Sequence, residues 1–199
     1  MEGNPVNQAQ LFHSRANALH CPTMNRTFLA FLAVTLVCYV VQSQNRPEAA
    51  PLEVKKTVDA FLGRWTMTGT YREPNMRAPI DLTSKMGCEL TALGKAVTCK
   101  VVTDGTDGSR VELTSVVGFS PDEGIVRLME ISSSGSYHDH RGQWQGDQIV
   151  FEPLTYSVSG QKTTEHFTIS IPEPGKMTIE SIEEGTEGKS TMKLSGARL

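Results

Sequence analysis

Apolar and polar residues alternate along most of the chain, and this alternation predicts a protein built from short β-strands. The pattern is clearest near the C-terminus, where Phe167, Ile169 and Ile171 lie on one face of a strand and the residues between them are polar. Turn-forming segments rich in Gly, Pro, Asp and Ser separate the alternating runs. The predicted strands are 64–72, 80–91, 96–103, 109–119, 124–132, 135–144, 147–157, 161–171, 175–184 and 188–197.

The connections between these strands are short and contain no crossover helix, which favours an antiparallel meander. A meander of eight to ten strands leaves two open edges, and closure into a barrel removes both of them. We therefore predict an all-β fold, an antiparallel up-and-down β-barrel of eight to ten strands. A β-sandwich is the alternative, but it usually needs longer connections than this chain offers.

One helical segment precedes the strands. Val54, Val58, Phe61 and Leu62 recur at helical spacing, and Gly63 can adopt the left-handed conformation that ends a helix. We predict a short helix that leads into the first strand. Gly69 then allows that strand to bend at a barrel corner.

Trp65 follows the helix directly, and we predict that it fills and closes one end of the barrel. First and last strands are neighbours in a closed meander, so Arg198 is expected to stack on the indole ring. Gly63, Trp65 and Arg198 are therefore assigned structural roles.

The N-terminal segment has a different pattern. Residues 1–23 are polar and unpatterned, Arg26 follows Met24, and fourteen residues from Phe28 to Val41 carry no charge. This order is typical of a secretory signal peptide. We predict that translation starts at Met24 and that 1–43 is an N-terminal extension with the signal, 44–53 a linker and 54–199 the barrel domain. An exported protein, periplasmic or extracellular, is expected; the alternative is an N-terminal membrane anchor.

Two cysteines, Cys88 and Cys99, lie in the predicted barrel, on either side of a turn about Leu93 and Gly94. That turn places them opposite each other on adjacent strands, at a separation that suits a disulfide. Export to an oxidising compartment favours the disulfide over two buried thiols.

The composition argues against one class of function, nucleic-acid binding. The formal net charge is −3 and 21% of the residues are charged, so the chain lacks the basic surface of a nucleic-acid-binding protein. After signal cleavage no membrane-spanning segment is expected. Oligomeric state is left open by the sequence.

The "GRW" segment resembles the Gly-x-Trp signature of lipocalins and other calycins. The run from 119 to 152 resembles the bacterial lipocalin-like family known as domain of unknown function 1579, through Gly142, Trp144, Gly146 and Asp147. The resemblance spans about 57–199. It departs from the family pattern at Gly94, where two adjacent glycines are usual. It implies a lipocalin-like barrel and no particular chemistry.

The densest polar segment is "SYHDHRGQW". In a strand, His138 and His140 share one face, while Tyr137 and Asp139 point to the other. Two imidazoles so placed can share a metal ion, and His166 is the candidate for a third ligand. We predict no metal or haem site, because solvent-exposed histidines explain the pattern more simply; His138, His140 and His166 are kept as candidates.

No catalytic set is evident, because the carboxylates are scattered singly and no nucleophile elbow occurs. We therefore do not predict an enzyme. The leading hypothesis is a barrel that binds a small apolar molecule in its lumen. The alternatives are a haem, metal or enzyme site at the three histidines and a packed barrel that serves as an envelope interaction protein. The candidate ligand-binding residues are Tyr71, Leu113, Leu128, Tyr137, Trp144 and Phe151.

Overall fold

A computed structural model describes residues 50–158 and 160–199 of the chain. The predicted start at Met24, the signal peptide and the first part of the linker lie outside these residues. One helix and eleven strands follow one another. Their bounds are α1 Ala50–Phe61, β1 Gly63–Arg72, β2 Ile80–Thr91, β3 Ala96–Gly105, β4 Arg110–Ser120, β5 Ile125–Ser132, β6 Tyr137–Gln145, β7 Gln148–Phe151, β8 Leu154–Val158, β9 Gln161–Ser170, β10 Lys176–Gly185 and β11 Gly188–Arg198.

The strands form a closed antiparallel barrel, which confirms the predicted fold class. Consecutive strands pair from β1 to β7, β7 pairs with β9, and β9 pairs with β10. The ring closes where β11 pairs with β1, with Trp65 opposite Arg198 and Tyr71 opposite Met192. Ten strands make the closed ring, and β8 pairs with β9 outside it. Within the described residues, no helix has the length and apolar character needed to cross a membrane.

Most strand ends fall within two residues of the sequence prediction, and two larger differences occur. Helix α1 begins at Ala50, so the end of the predicted linker is helical. The predicted strand 147–157 is two strands, β7 and β8, separated by Glu152 and Pro153. Proline has no backbone N–H to donate to a sheet, which explains the interruption at this point.

The turn between β2 and β3 joins the two cysteines as predicted. A 3-10 turn spans Ala92–Gly94, with positive φ at all three residues. Cys88 pairs directly with Cys99 across the two strands, and their sulfur atoms form a disulfide. Both residues are buried inside the barrel.

Glycine is required where β1 meets β11. A Cβ atom on Gly69 would lie 1.7 Å from the carbonyl oxygen of Lys193, a distance at which atoms overlap. A Cβ atom on Gly196 would similarly meet the backbone of Thr66 at 2.1 Å. The two strands therefore approach each other closely because neither residue carries a side chain.

Candidate functional site

The barrel encloses a cavity of about 500 Å3. Its wall is mainly aliphatic, with aromatic and thioether side chains among the aliphatic ones. The apolar lining includes Met67, Leu82, Met86, Val101, Leu113, Val117, Leu128, Phe167, Ile169 and Leu194. This volume lies within the usual range for pockets that bind small molecules.

One end of this lumen is closed. Trp65 is 1% exposed, and its indole N–H donates to the carbonyl oxygen of Phe61 at 2.8 Å. The guanidinium of Arg198 lies 4.8 Å from the Trp65 ring centroid. It also donates to the backbone carbonyl oxygen of Asp59 at 2.5 Å, so it joins the helix to the last strand. The predicted structural roles of Trp65 and Arg198 are consistent with these contacts.

Gly63 lies directly beside this closed end. Its φ of +114° belongs to the region that favours glycine. A Cβ atom there would approach the Arg198 side chain at 3.2 Å. Gly63 therefore allows both the turn from α1 into β1 and the close position of Arg198.

The opposite end of the lumen reaches solvent. Glu73, Asp107 and Ser109 are exposed, yet they also line the cavity. Tyr71 lies at this mouth, and its hydroxyl donates to Glu73 Oε1 at 2.9 Å. Burial and the neighbouring Glu73 carboxylate raise the pKa of Tyr71 to about 12. Tyr71 is therefore a neutral hydrogen-bonding group at the entrance.

A cluster of ionisable side chains interrupts the apolar wall, and we call it the His–Glu cluster. It consists of Glu130 on β5, His138 and His140 on β6 and Glu165 on β9. Strand alternation explains their common direction, because Glu130 lies two residues after Leu128, and Glu165 lies two residues before Phe167. Both apolar neighbours line the cavity, so the two carboxyl groups also face inward.

Strand pairing brings the members of the cluster together. Glu130 pairs with His138 across β5 and β6, and Leu128 pairs with His140. His138 Nδ1 lies 3.5 Å from Glu165 Oε2. His140 Nε2 lies 3.9 Å from Glu130 Oε2 and 4.0 Å from Glu165 Oε2.

Surrounding side chains hold these groups in position. Ser181 on β10 donates its hydroxyl hydrogen to Glu165 Oε1 at 2.7 Å. His138 lies against Tyr156, with ring centroids 4.5 Å apart, and His140 packs at 5.2 Å from Phe167. His140 is 2% exposed and Glu165 is 7% exposed, so these two side chains are shielded from bulk water.

The low-dielectric surroundings change the acidity of the cluster. Burial, followed by the nearby Glu165, raises the pKa of Glu130 to about 7. Burial also raises the pKa of Glu165, although the Ser181 hydroxyl and His138 oppose that change. Burial, followed by the nearby His138, lowers the pKa of His140 to about 4, so this imidazole is neutral at pH 7. A neutral imidazole offers a lone pair to a proton or a metal ion.

The predicted ligand-binding residues divide into two groups. Tyr71, Leu113 and Leu128 line the cavity. Tyr137, Trp144 and Phe151 are not among the residues that line it.

Tyr137 is 59% exposed because His138 and His140 take the inward positions of β6. Trp144 packs against α1 instead, where its indole N–H donates to Thr57 Oγ1 at 3.0 Å. Phe151 is buried in the core, where it contacts the rings of His140 and Phe167.

The three candidate histidines do not lie together. His138 and His140 lie inside the barrel, whereas His166 is exposed on its outer surface. Because His166 alternates with the inward Glu165 and Phe167, it cannot reach the other two. Sequence reasoning missed Glu130, Glu165 and Ser181 as partners. A carboxylate that alternates with apolar residues in an apolar-inward strand is the signal that identifies both glutamates.

The fold is similar to that of an S-type phycobiliprotein lyase from Guillardia theta. The two structures agree with a TM-score of 0.51 at 12% sequence identity, over 77% of this chain and 98% of that one. A redesigned β-barrel, mFAP0, bound to DFHBI, gives a TM-score of 0.40 at 12% identity, over 70% of this chain and 99% of that one. No protein-family model matches the sequence, and a comparison with curated protein sequences finds no match. At such low identity the likeness concerns the fold alone.

Proposed function

We propose that this protein is an exported, lipocalin-like barrel that binds a small, mainly apolar molecule in its lumen. The observation that carries this proposal is a cavity of about 500 Å3 with a mainly apolar wall and a mouth open to solvent. Export is proposed from the signal-like segment 24–43, and the disulfide between Cys88 and Cys99 is consistent with it. The packed-barrel alternative needs a filled interior, which the cavity does not support.

The lumen favours a ligand with an apolar body. Burial of apolar surface contributes about 25 cal/mol per Å2, so an apolar molecule that fills this space gains most of its affinity from the wall. Met67, Met86 and Met192 contribute flexible thioether side chains, which adapt to varied ligand shapes. Tyr71 at the mouth supplies one hydrogen-bonding group to a polar end of the ligand.

Binding of N-phenyl-1-naphthylamine, an uncharged apolar fluorophore, tests this proposal with the full chain purified without denaturation. We expect saturable binding of one probe per chain with an increase in fluorescence. The double variant Leu113→Trp, Met192→Trp places two indole rings inside the lumen and should weaken binding at least tenfold.

A matched variant separates lumen filling from a general effect of added tryptophan. Thr114 and Lys193 are exposed and adjoin Leu113 and Met192 on the opposite faces of the same strands. The variant Thr114→Trp, Lys193→Trp should bind the probe as the unmodified protein does. Absence of saturable binding, or equal loss in the two double variants, would overturn the proposal.

A further inference from the structure

The His–Glu cluster has the donor set of a metal site. His138, His140 and Glu165 each offer one donor atom, and these three atoms lie within 4.8 Å of one another. In a tetrahedral zinc site, bonds of about 2.1 Å place neighbouring donor atoms roughly 3.4 Å apart. The observed separations of 3.5 Å and 4.0 Å from Glu165 Oε2 to the two imidazole nitrogens are close to that value. Small side-chain rotations would therefore bring the three atoms around one ion.

The Glu165 carboxylate is oriented as a ligand would be. Ser181 occupies Oε1, while Oε2 is buried and has no hydrogen-bond partner among the described residues. That second oxygen lies toward the two imidazoles. A buried oxygen without a partner costs free energy unless something binds it, so its environment favours a proton or a cation.

The charge of the cluster also matches a divalent ion. Glu130 is the second carboxylate, with Oε2 at 3.9 Å from His140 Nε2. Two ionised carboxylates in an apolar wall repel each other, and an ion of charge +2 between them would neutralise both. No lysine or arginine pairs with either glutamate in the ion pairs that the described residues form.

We propose that His138, His140 and Glu165 bind one divalent transition-metal ion, with Zn2+ the best match, at the wall of the lumen. Imidazole and carboxylate donors suit zinc and its neighbours in the first row, whereas Mg2+ and Ca2+ prefer oxygen ligands. Glu130 lies on the lumen side and is placed to be the fourth ligand. Ser181 is a positioning residue, because it acts through the Glu165 carboxylate. This site does not depend on an apolar ligand in the lumen.

Metal titration of the full chain is the test. The purified protein is treated with a chelator, dialysed, and titrated with Zn2+ by calorimetry and with Co2+ by visible absorption. We expect one Zn2+ ion per chain at the cluster and the intense bands of tetrahedral Co2+. A Co2+ spectrum unchanged from that of the aqueous ion would overturn the proposal without any variant.

Substitutions show which side chains bind the ion. His138→Gln, His140→Gln and Glu165→Gln should each lower the Zn2+ affinity by at least about 100-fold, and Ser181→Ala by about tenfold. His166→Gln is the matched variant, because His166 is adjacent to Glu165 in sequence but exposed on the outer surface. It should leave the affinity unchanged. Equal affinities in His140→Gln and His166→Gln would overturn the proposal.

Folding and lumen binding are measured on the same samples. Thermal unfolding of each metal-free variant shows whether it folds, and only folded variants are compared. Binding of N-phenyl-1-naphthylamine in the presence of chelator reports the lumen separately. In the unmodified protein, probe binding without Zn2+ binding would overturn the metal site alone, whereas Zn2+ binding without probe binding would overturn the proposed function alone.

Discussion

The closed end of the barrel and the His–Glu cluster differ in whether their buried polar groups have hydrogen-bond partners. At the closed end, the indole N–H of Trp65 donates to Phe61 and that of Trp144 donates to Thr57. In the cluster, His140 Nδ1 and Glu165 Oε2 are buried without a hydrogen-bond partner among the described residues. Unsatisfied buried groups lower stability, so their presence in the cluster is consistent with a functional constraint there.

The comparison implies that substitutions at the closed end should destabilise the fold, and that a suitable substitution in the cluster should not. Trp65→Ala is expected to have the largest effect. It removes a side chain that is 1% exposed and should lower the free energy of unfolding by about 4 kcal/mol. Urea denaturation followed by circular dichroism measures the change. Tyr137→Ala, at a 59% exposed aromatic residue, should change it by less than about 0.5 kcal/mol.

Removal of the disulfide beside the closed end should have the second-largest effect on the free energy of unfolding. Cys88 lies opposite Gly63 on β1 as well as opposite Cys99 on β3. The double variant Cys88→Ala, Cys99→Ala should lower the free energy of unfolding by about 2–3 kcal/mol, because the cross-link restricts the unfolded chain. A thiol reductant should destabilise the unmodified protein by a similar amount and leave the double variant unchanged. Equal sensitivity of both proteins to the reductant would contradict this expectation.

Thr57→Val probes the hydrogen bond that secures the helix. Valine keeps the shape of the completely buried Thr57 but leaves the Trp144 indole N–H without its acceptor. We expect a loss of about 1–2 kcal/mol in the free energy of unfolding. The same substitution is also measured in a Trp144→Phe background. There the loss of unfolding free energy caused by Thr57→Val should be smaller, because the indole N–H is absent.

Glu165→Gln should have the smallest effect and the opposite sign. The amide oxygen can still accept the Ser181 hydroxyl, and the buried negative charge is removed. The free energy of unfolding of the metal-free protein at pH 7 should stay the same or rise by about 1 kcal/mol. A loss as large as that of Trp65→Ala would mean that the cluster stabilises the fold, and the contrast between the two regions would disappear.

Much of the fold follows from local patterns. Alternation identified the strands because each has one face toward the interior, and the break at Pro153 is the main error. Trp65 and Arg198 lie together, as expected, because first and last strands must meet in a closed meander. Cys88 and Cys99 were paired correctly because a short hairpin places them opposite each other.

The site was only partly predictable. Tyr71, Leu113 and Leu128 were placed in the lumen, but hydrophobic character alone also selected Tyr137, Trp144 and Phe151. A large apolar residue can line a cavity, fill the core or pack against a helix, and alternation does not distinguish these environments. Tyr137 points outward because the two histidines take the inward positions of β6. Trp144 shares the face of the histidines but packs against α1, and Phe151 on β7 fills the core.

The sequence by itself therefore determined the strands, the closure of the barrel and the disulfide, since each depends on the order of neighbours along the chain. Only the tertiary structure decided that Glu130, His138, His140 and Glu165 meet and that His166 stays apart. Glu165 reaches the histidines because only the four-residue strand β7 lies between β6 and β9 in the sheet, although 24 residues separate it from His140 in the sequence. The strand order makes residues remote in sequence into neighbours, and burial in the barrel wall lowers the dielectric constant around them.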